Sequence, residues 1–222
     1  MLTNDEWKLV AKELAKYGND YVLPLVCLML ETAMRSCEPL SYAKWGDVNW
    51  SRRVLCLRDG KTGKRDVSLN PGAIALLEEL KKKAGAVADE SGIFPTTYEA
   101  IKKAWSVACK QSGVTNVGLH DLRHTAATRY SHQFKGNLPV IMHITGHKTV
   151  SMAMRYININ ADDVVQMMHG EEPDVGRSPA GYRAKLLEDI GHGIEEKSPP
   201  SEPAPPGTAG NVIRADFTRK VA

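Results

Sequence analysis

The segment 119–125 reads LHDLRHT, and it is the part of the sequence that most directly indicates the fold and the chemistry of this chain. His120 and Arg123 stand three residues apart, so on a helix they share one face. Leu122 and Tyr130 take other faces and can anchor the helix in a core. The segment therefore predicts a helix that is partly buried and presents a histidine and an arginine side by side.

Two basic patterns precede this segment. Residues 32–38 read TAMRSCE and place Arg35 at a turn between helices, with Glu38 three residues later. Residues 60–64 read GKTGK and place Lys61 in a turn between two predicted strands. Each pattern alone is also typical of an ordinary surface: an exposed Arg–Glu pair, or a turn made soluble by lysine.

A third pattern follows the segment. Residues 145–149 read TGHKT, and Tyr156 stands nine residues after His147. A tyrosine near the end of an amphipathic helix is usually a core or interface residue, so its meaning depends on the other patterns.

Taken together, these side chains fit phosphoryl transfer without a metal ion or another cofactor. The planar fork of arginine matches two phosphate oxygens and stays charged at neutral pH. A tyrosine hydroxyl, with an ordinary pKa of about 10, needs a base or a cationic setting to attack. Histidine suits proton transfer, and a lysine on a mobile hairpin can protonate a departing hydroxyl.

Helix signals dominate the first 170 residues. Thr3 and Glu6 form a capping box that predicts a helix through about Lys16. A second, mostly apolar helix is expected to run from a cap at Asn19 to about Ala33. A short helix is expected after Glu38. The remaining helices are predicted from Asn70 to about 83, from a capping box at Thr96 and Glu99 to about 111, and near 120–134, 138–145, 149–157 and 161–168.

Only one part of the sequence alternates like strands. Residues 53–57 and 65–69 do so, and the turn-rich segment between them predicts a β-hairpin. The expected fold class is therefore mainly α with a small antiparallel β-sheet.

Composition suggests one domain and a tail. Residues 1–170 are expected to form the domain, whereas residues 171–222 are rich in Pro, Gly, Ser and charge and are expected to be a flexible tail. Four cysteines in irregular spacing suggest reduced thiols, and neither a signal peptide nor a membrane span is expected, so we expect a cytoplasmic protein. The net charge of +3 permits nucleic-acid binding without arguing for it.

In these patterns the sequence resembles the tyrosine recombinases, also called phage integrases, over about residues 1–170. Arg35 with Glu38 resembles the first arginine box of that family, and Lys61 resembles its hairpin lysine. Residues 120–125 resemble its H-x-L-R-H-T signature. The last match is Gly146-His147 followed by Tyr156 at the usual spacing. Two departures are an alanine at 33, where the family often has glycine, and a threonine at 145, where it usually has leucine.

The resemblance implies the catalytic-domain fold of a site-specific DNA recombinase or integrase and assigns the roles of the residues. Arg35 and Arg123 would clamp the scissile phosphate, with His147 supporting them by hydrogen bonding. Lys61 would be the general acid and His120 would assist proton transfer. The nucleophile, Tyr156, would form a 3′-phosphotyrosyl link. The expected catalytic set is Arg35, Lys61, His120, Arg123, His147 and Tyr156; Tyr156 and Lys61 lie on segments that can move without DNA.

The resemblance also implies the partners. The substrate would be double-stranded DNA, and the expected assembly is a homotetramer on DNA that is a monomer without it. An apolar strip with Val164, Val165, Met167 and Met168 could dock on a neighbouring protomer or on the same domain.

Three other functions are open at this point. A metal hydrolase is suggested only by His120–His124 and His143–His147, and neither pair encloses the glutamate of H-E-x-x-H. A type IB topoisomerase shares the chemistry, although the compact arrangement from hairpin to tyrosine favours a recombinase. The third alternative is a non-catalytic DNA-binding or regulatory protein with an idle site.

Overall fold

The structure, a computed structural model, describes residues 1–60, 63–157 and 161–169. It is mainly helical with one small antiparallel sheet, so the predicted fold class is confirmed. No helix in these residues is long and apolar enough to cross a bilayer. The predicted tail, 171–222, lies outside the described residues. The elements are α1 (Asn4–Ala15), α2 (Val22–Thr32), β1 (Val48–Asn49), β2 (Val54–Leu57), β3 (Arg65–Ser68), α3 (Pro71–Ala84), α4 (Tyr98–Ser112), α5 (Leu119–Gln133), α6 (Leu138–Thr145), α7 (Val150–Met154) and α8 (Ala161–Met168).

Helix α1 begins at the predicted capping box. The Thr3 hydroxyl accepts a hydrogen bond from the Glu6 backbone N–H at 3.2 Å, and the Glu6 carboxylate accepts one from the Thr3 N–H at 2.8 Å. Trp7 and Leu14 lie on the buried face of the helix, which packs against α4. The capping box therefore stabilises the first turn of α1, a helix that contributes buried side chains to the core.

Helix α2 is apolar on nearly all sides and lies at the centre of the molecule. It contacts α1, α3 and α5, and Leu25 and Leu28 are fully buried. A helix surrounded by partners needs no polar face, which explains its composition. It ends at Ala33, whose φ of 53° is left-handed. A glycine would take this conformation with less strain, so the departure from the family pattern has a backbone cost here.

The sheet has the strand order β1-β2-β3, with both pairs antiparallel. Residue 54 faces Ser68 and Leu57 faces Arg65, so the predicted hairpin is confirmed. The sequence did not predict β1, which is only two residues long. Lys61 and Thr62, at the tip of the hairpin, lie outside the described residues.

Two predicted caps were wrong by a small margin. Helix α4 is capped by Thr97, whose hydroxyl accepts from Ala100 N–H at 3.2 Å, rather than by Thr96. The Thr96 hydroxyl instead accepts from the Asn19 side-chain amide at 3.0 Å. Helix α2 begins after Tyr21 rather than directly after Asn19, whose side-chain oxygen accepts from the Tyr21 backbone N–H at 3.0 Å.

Two short helical turns lie between α2 and β1. Glu38–Tyr42 forms one π-helical turn, where a short helix was predicted. Trp45–Asp47 forms a 3-10 turn before β1. Helix α7 ends at Met154 and is shorter than the predicted 149–157.

Candidate active site

Arg123 on α5 is the centre of the site, with a side chain that is only 1% exposed. One terminal nitrogen, Nη1, donates to the Ala33 carbonyl at 2.8 Å. The other, Nη2, donates to the Thr145 carbonyl at 2.6 Å and lies 3.2 Å from His147 Nε2. Burial, followed by the charge of Arg35, lowers the pKa of Arg123. The guanidinium thus joins the ends of α2 and α6 to α5.

Glu38 links two further arginines and is 4% exposed. Its carboxylate accepts from the Arg35 backbone N–H at 2.7 Å and from Arg35 Nη1 at 3.2 Å. Arg65 approaches the same carboxylate with two nitrogens, at 2.9 and 3.0 Å. Burial acts to raise the pKa of Glu38, but the hydrogen bonds and charges of Arg65 and Arg35 outweigh it and lower the pKa. Glu38 is therefore an ionised anchor that orients Arg35.

Arg65, the first residue of β3, is a site residue that the sequence did not indicate. Besides the pair with Glu38, its Nη1 donates to the Ile144 carbonyl at 3.2 Å. A Cβ at Gly146 would lie 3.0 Å from the Arg65 side chain, and Gly146 also has a φ of +67°. Arg65 thus connects the hairpin to the turn that carries His147. Its partners are 27 and 79 residues away, so no local pattern could reveal the role.

His147 follows α6 and is fixed on both sides of its ring. Nε2 faces Arg123, and Nδ1 lies 2.8 Å from the Thr145 hydroxyl. Burial, followed by the charges of Arg123, Arg35, Arg65 and Arg155, lowers the pKa of His147 to about 4. The ring is therefore neutral at physiological pH in this DNA-free state.

Tyr156 lies inside the cluster and is 5% exposed. Its ring stacks on that of His147, with centroids 5.4 Å apart and an interplanar angle of 15°. On another side the ring of His124 lies 5.3 Å away, tilted by 37°. Although its segment was expected to be movable, Tyr156 is packed against the site here.

His120 extends the row of rings at the exposed start of α5. It meets His124 edge to face, with centroids 4.7 Å apart. Burial and the neighbouring His120 lower the pKa of His124. Of the six predicted catalytic residues, the structure brings together Arg35, His120, Arg123, His147 and Tyr156; Lys61 lies outside the described residues.

A basic cleft of about 650 Å³ adjoins His120. It lies between α4 and residues 114–120, and its lining includes Lys102, Trp105 and Lys110. Within the described ranges, no group of three or more His, Cys, Asp or Glu side chains is placed to hold a metal ion. The arrangement offers anchored cations, a stacked tyrosine and a neighbouring basic cleft, which together suit a phosphodiester.

The order and geometry of these residues agree with a known family. The family model described as "Phage integrase family" matches residues 1–163. The chain belongs to the phage integrase family.

Among curated relatives of this integrase-family chain, a shufflon-specific DNA recombinase of Escherichia coli is 31% identical over 142 residues. That match covers 64% of this chain and 35% of the recombinase, so the chain spans about a third of its relative's length.

Solved structures confirm the predicted tyrosine recombinase catalytic-domain fold. XerA recombinase superposes with a TM-score of 0.60 at 23% identity, over 78% of this chain and 65% of that one. A lambda integrase(75-356) dimer bound to a COC′ core site gives 0.57 at 24% identity, over 72% of this chain and 59% of that one. At these identities the likeness shows the fold alone.

Proposed function

We propose that this chain is the catalytic domain of a site-specific DNA recombinase or integrase that cleaves and rejoins double-stranded DNA through Tyr156. One observation carries the proposal: the Tyr156 ring stacks on His147, whose Nε2 faces the buried guanidinium of Arg123. Attack on a phosphodiester needs a nucleophile beside fixed cationic donors, and this arrangement offers both.

The reaction is a transesterification. The Tyr156 hydroxyl oxygen attacks phosphorus, a phosphorus–tyrosine bond forms, and the bond from phosphorus to the 5′ oxygen breaks. The tyrosine proton passes to His120, which assists proton transfer, and the 5′ oxygen receives a proton from Lys61. Because the phosphotyrosyl bond conserves the energy of the phosphodiester, a 5′ hydroxyl from another strand can attack it and release Tyr156.

Arg35 and Arg123 would hold the non-bridging oxygens, on which negative charge grows in the transition state. Both side chains are anchored before any substrate arrives, Arg35 by Glu38 and Arg123 by two backbone carbonyls. Donors that need no reorganisation during the reaction give the largest catalytic stabilisation. This anchoring supports the clamp role of both arginines and the supporting role of His147.

The cleft next to His120 supports the choice of a polymer as substrate. Lys102 and Lys110 line it, and it adjoins the row of rings that contains Tyr156. A DNA strand that passes the nucleophile has phosphates on both sides of the scissile one, and lysines beside the site can neutralise them. Double-stranded DNA is therefore the proposed partner.

Assembly and domain limits belong to the same proposal. Residues 1–170 would form the catalytic domain, and 171–222 a flexible tail. On DNA, four copies would join two duplexes, whereas the DNA-free chain would be a monomer. Val164, Val165 and Met168 on α8 are 41, 51 and 80% exposed, and this apolar strip favours docking on a neighbouring protomer.

A covalent trap tests the proposal. Labelled duplexes with a randomised sequence carry a nick at a fixed position. When cleavage falls close to that nick, the short 5′-hydroxyl fragment between the two breaks dissociates, so the adduct accumulates and migrates slowly on a denaturing gel. Tyr156→Phe should abolish the adduct and change DNA affinity by less than about twofold, because one hydroxyl is lost and no cation changes. Tyr17→Phe, at a partly buried tyrosine that follows α1 and does not line the cleft, is the matched control and should form the adduct normally.

An adduct that persists in Tyr156→Phe would identify another nucleophile. DNA binding without any wild-type adduct would identify a non-catalytic binding protein. Relaxation of supercoiled plasmid without strand exchange between two duplexes would identify a topoisomerase instead.

A further inference from the structure

The side chain of Thr145 connects α6 to the ring of His147. Thr145 is the last residue of α6 and is fully buried. Its hydroxyl oxygen lies 2.6 Å from the Ile141 carbonyl and 2.8 Å from His147 Nδ1. A hydroxyl has one proton to donate, so it can donate to only one of these two groups.

The opposite side of the His147 ring decides which group receives that proton. Nε2 lies 3.2 Å from Nη2 of Arg123, and a guanidinium has donors but no acceptor. Nε2 must therefore be the acceptor and carries no proton. In a neutral imidazole the proton is then on Nδ1, which donates to the Thr145 hydroxyl, and that hydroxyl donates to Ile141. The four groups form one directed chain with a single consistent arrangement of protons.

We propose that Thr145 is a positioning residue whose hydroxyl holds His147 in the tautomer with a proton on Nδ1, so that Nε2 accepts from Arg123. Thr145 then acts on Arg123 twice, since its backbone carbonyl also accepts from Nη2 at 2.6 Å. Of the five N–H groups of the Arg123 guanidinium, the described residues engage one on Nη1 and two on Nη2. The three engaged protons therefore fix the orientation of the guanidinium.

In the alternative tautomer of His147, which has its proton on Nε2, the contact with Arg123 is unfavourable. With a proton on Nε2, two donors would face each other across 3.2 Å, and Arg123 or His147 would have to move. A hydroxyl-free side chain of the same shape leaves Nδ1 without its partner and removes one of the two contacts that favour the observed tautomer, so that only the contact with Arg123 is left. The catalytic consequence of this inference rests on the proposed function, whereas the tautomer itself does not.

The first experiment measures the tautomer directly in the DNA-free full chain. Long-range ¹H–¹⁵N correlation spectra of ¹⁵N-labelled protein distinguish a protonated from an unprotonated ring nitrogen, and His147→Gln assigns the signal. Wild type and Thr145→Ser should both show a protonated Nδ1 and an unprotonated Nε2 for His147. Thr145→Val, which replaces the hydroxyl by a methyl group, should shift the proton towards Nε2. A wild-type spectrum with the proton on Nε2 overturns the inference even if no variant folds, and so does an unchanged tautomer in Thr145→Val.

The second experiment measures the consequence with the nicked duplexes described above. In Thr145→Val the single-turnover rate of adduct formation should fall at least about tenfold, with less than about a twofold change in the half-saturating DNA concentration. Thr145→Ser should recover the rate to within about threefold, which a purely volumetric role would not predict, since serine lacks the methyl group. An unchanged rate in Thr145→Val would overturn the positioning role. If wild type itself forms no adduct, the proposed function fails, and the spectra still decide the tautomer.

Discussion

At the scale of single residues, Arg123 shows how a buried charge can be kept in place. A buried guanidinium is costly unless its donors are satisfied, and here the acceptors are two backbone carbonyls and a histidine nitrogen. The acceptors come from the ends of two helices, so the residue serves the packing of the site as well as its chemistry.

Replacing Arg123 by lysine should therefore be severe although the charge is conserved. A lysine ammonium is a point donor that cannot span Ala33, Thr145 and His147 from one position. We expect adduct formation to fall by at least about a hundredfold. The melting temperature should fall as well. The control is Arg129→Lys on the same helix, where the side chain contacts Asn4 and lies away from the site; an adduct rate for Arg123→Lys close to that of the control would contradict the clamp role.

His147 makes a prediction about pH. Its folded-state pKa of about 4 lies below the ordinary value of 6.5, so between these values the unfolded chain binds more protons than the folded chain. Stability is then lost as the pH falls through this window and is fully present above it. The melting temperature should drop between pH 7 and pH 5, and His147→Gln should reduce that drop. His143→Gln, at an exposed histidine on α6, should follow the wild-type curve; equal curves for all three proteins would refute the assignment.

At the scale of elements, ion pairs of two arginines fix the hairpin where β2 ends and where β3 begins. Lys61 belongs to the segment that connects these strands. At the end of β2, Arg58 Nε forms an ion pair with the buried Asp47 carboxylate at 2.6 Å, without hydrogen-bond alignment. At the start of β3, Arg65 binds Glu38. The two strands are thus fixed to the body of the domain at the ends next to their connecting segment.

Helix α4 offers a local test of its cap. Thr97→Ala removes the hydroxyl that accepts from Ala100 N–H and should lower the free energy of unfolding by about 1 kcal/mol. Thr97→Ser should restore most of it, and Thr115→Ala in the exposed loop before α5 should change little. Urea denaturation measures all three. Equal stability of Thr97→Ala and Thr115→Ala would show that the cap contributes nothing.

At the scale of the whole molecule, the positive charges that could bind a phosphate are concentrated in one site, although the chain as a whole is only weakly basic. The net charge is only +3, yet Arg35, Arg65 and Arg123 converge around Glu38 and His147. Composition therefore understates the local potential that a phosphate would meet.

This concentration of cations makes a prediction about cofactors. If the arginines supply the charge that other phosphotransferases obtain from Mg²⁺, cleavage should need no divalent metal. Wild-type adduct yield on the nicked duplexes should then be the same, within about twofold, with excess EDTA and with added Mg²⁺. Loss of the adduct in EDTA, restored by Mg²⁺, would show that the reaction uses a metal ion.

The sequence by itself determined the features that depend on neighbours within a turn or two. These include the capping box at Thr3, the cap at Asn70, the hairpin, and the helix that puts His120 and Arg123 on one face. Helix caps and strand alternation are local, because their hydrogen bonds and side-chain periods involve residues close along the chain. The proposed chemistry was readable for the same reason, since each predicted catalytic pattern is a short motif.

Only the tertiary structure decided how these motifs are joined. β1 is too short to show alternation and exists because it pairs with β2. The sequence around Arg65 indicates only a strand residue. Its role in the site depends on its contacts with Glu38 and with the Ile144 carbonyl, which only the folded chain forms. The tautomer of His147 depends on Thr145, two residues away, and on Arg123, which another helix supplies. In each case at least one deciding partner lies on another element, and only the folded chain brings it within hydrogen-bonding distance.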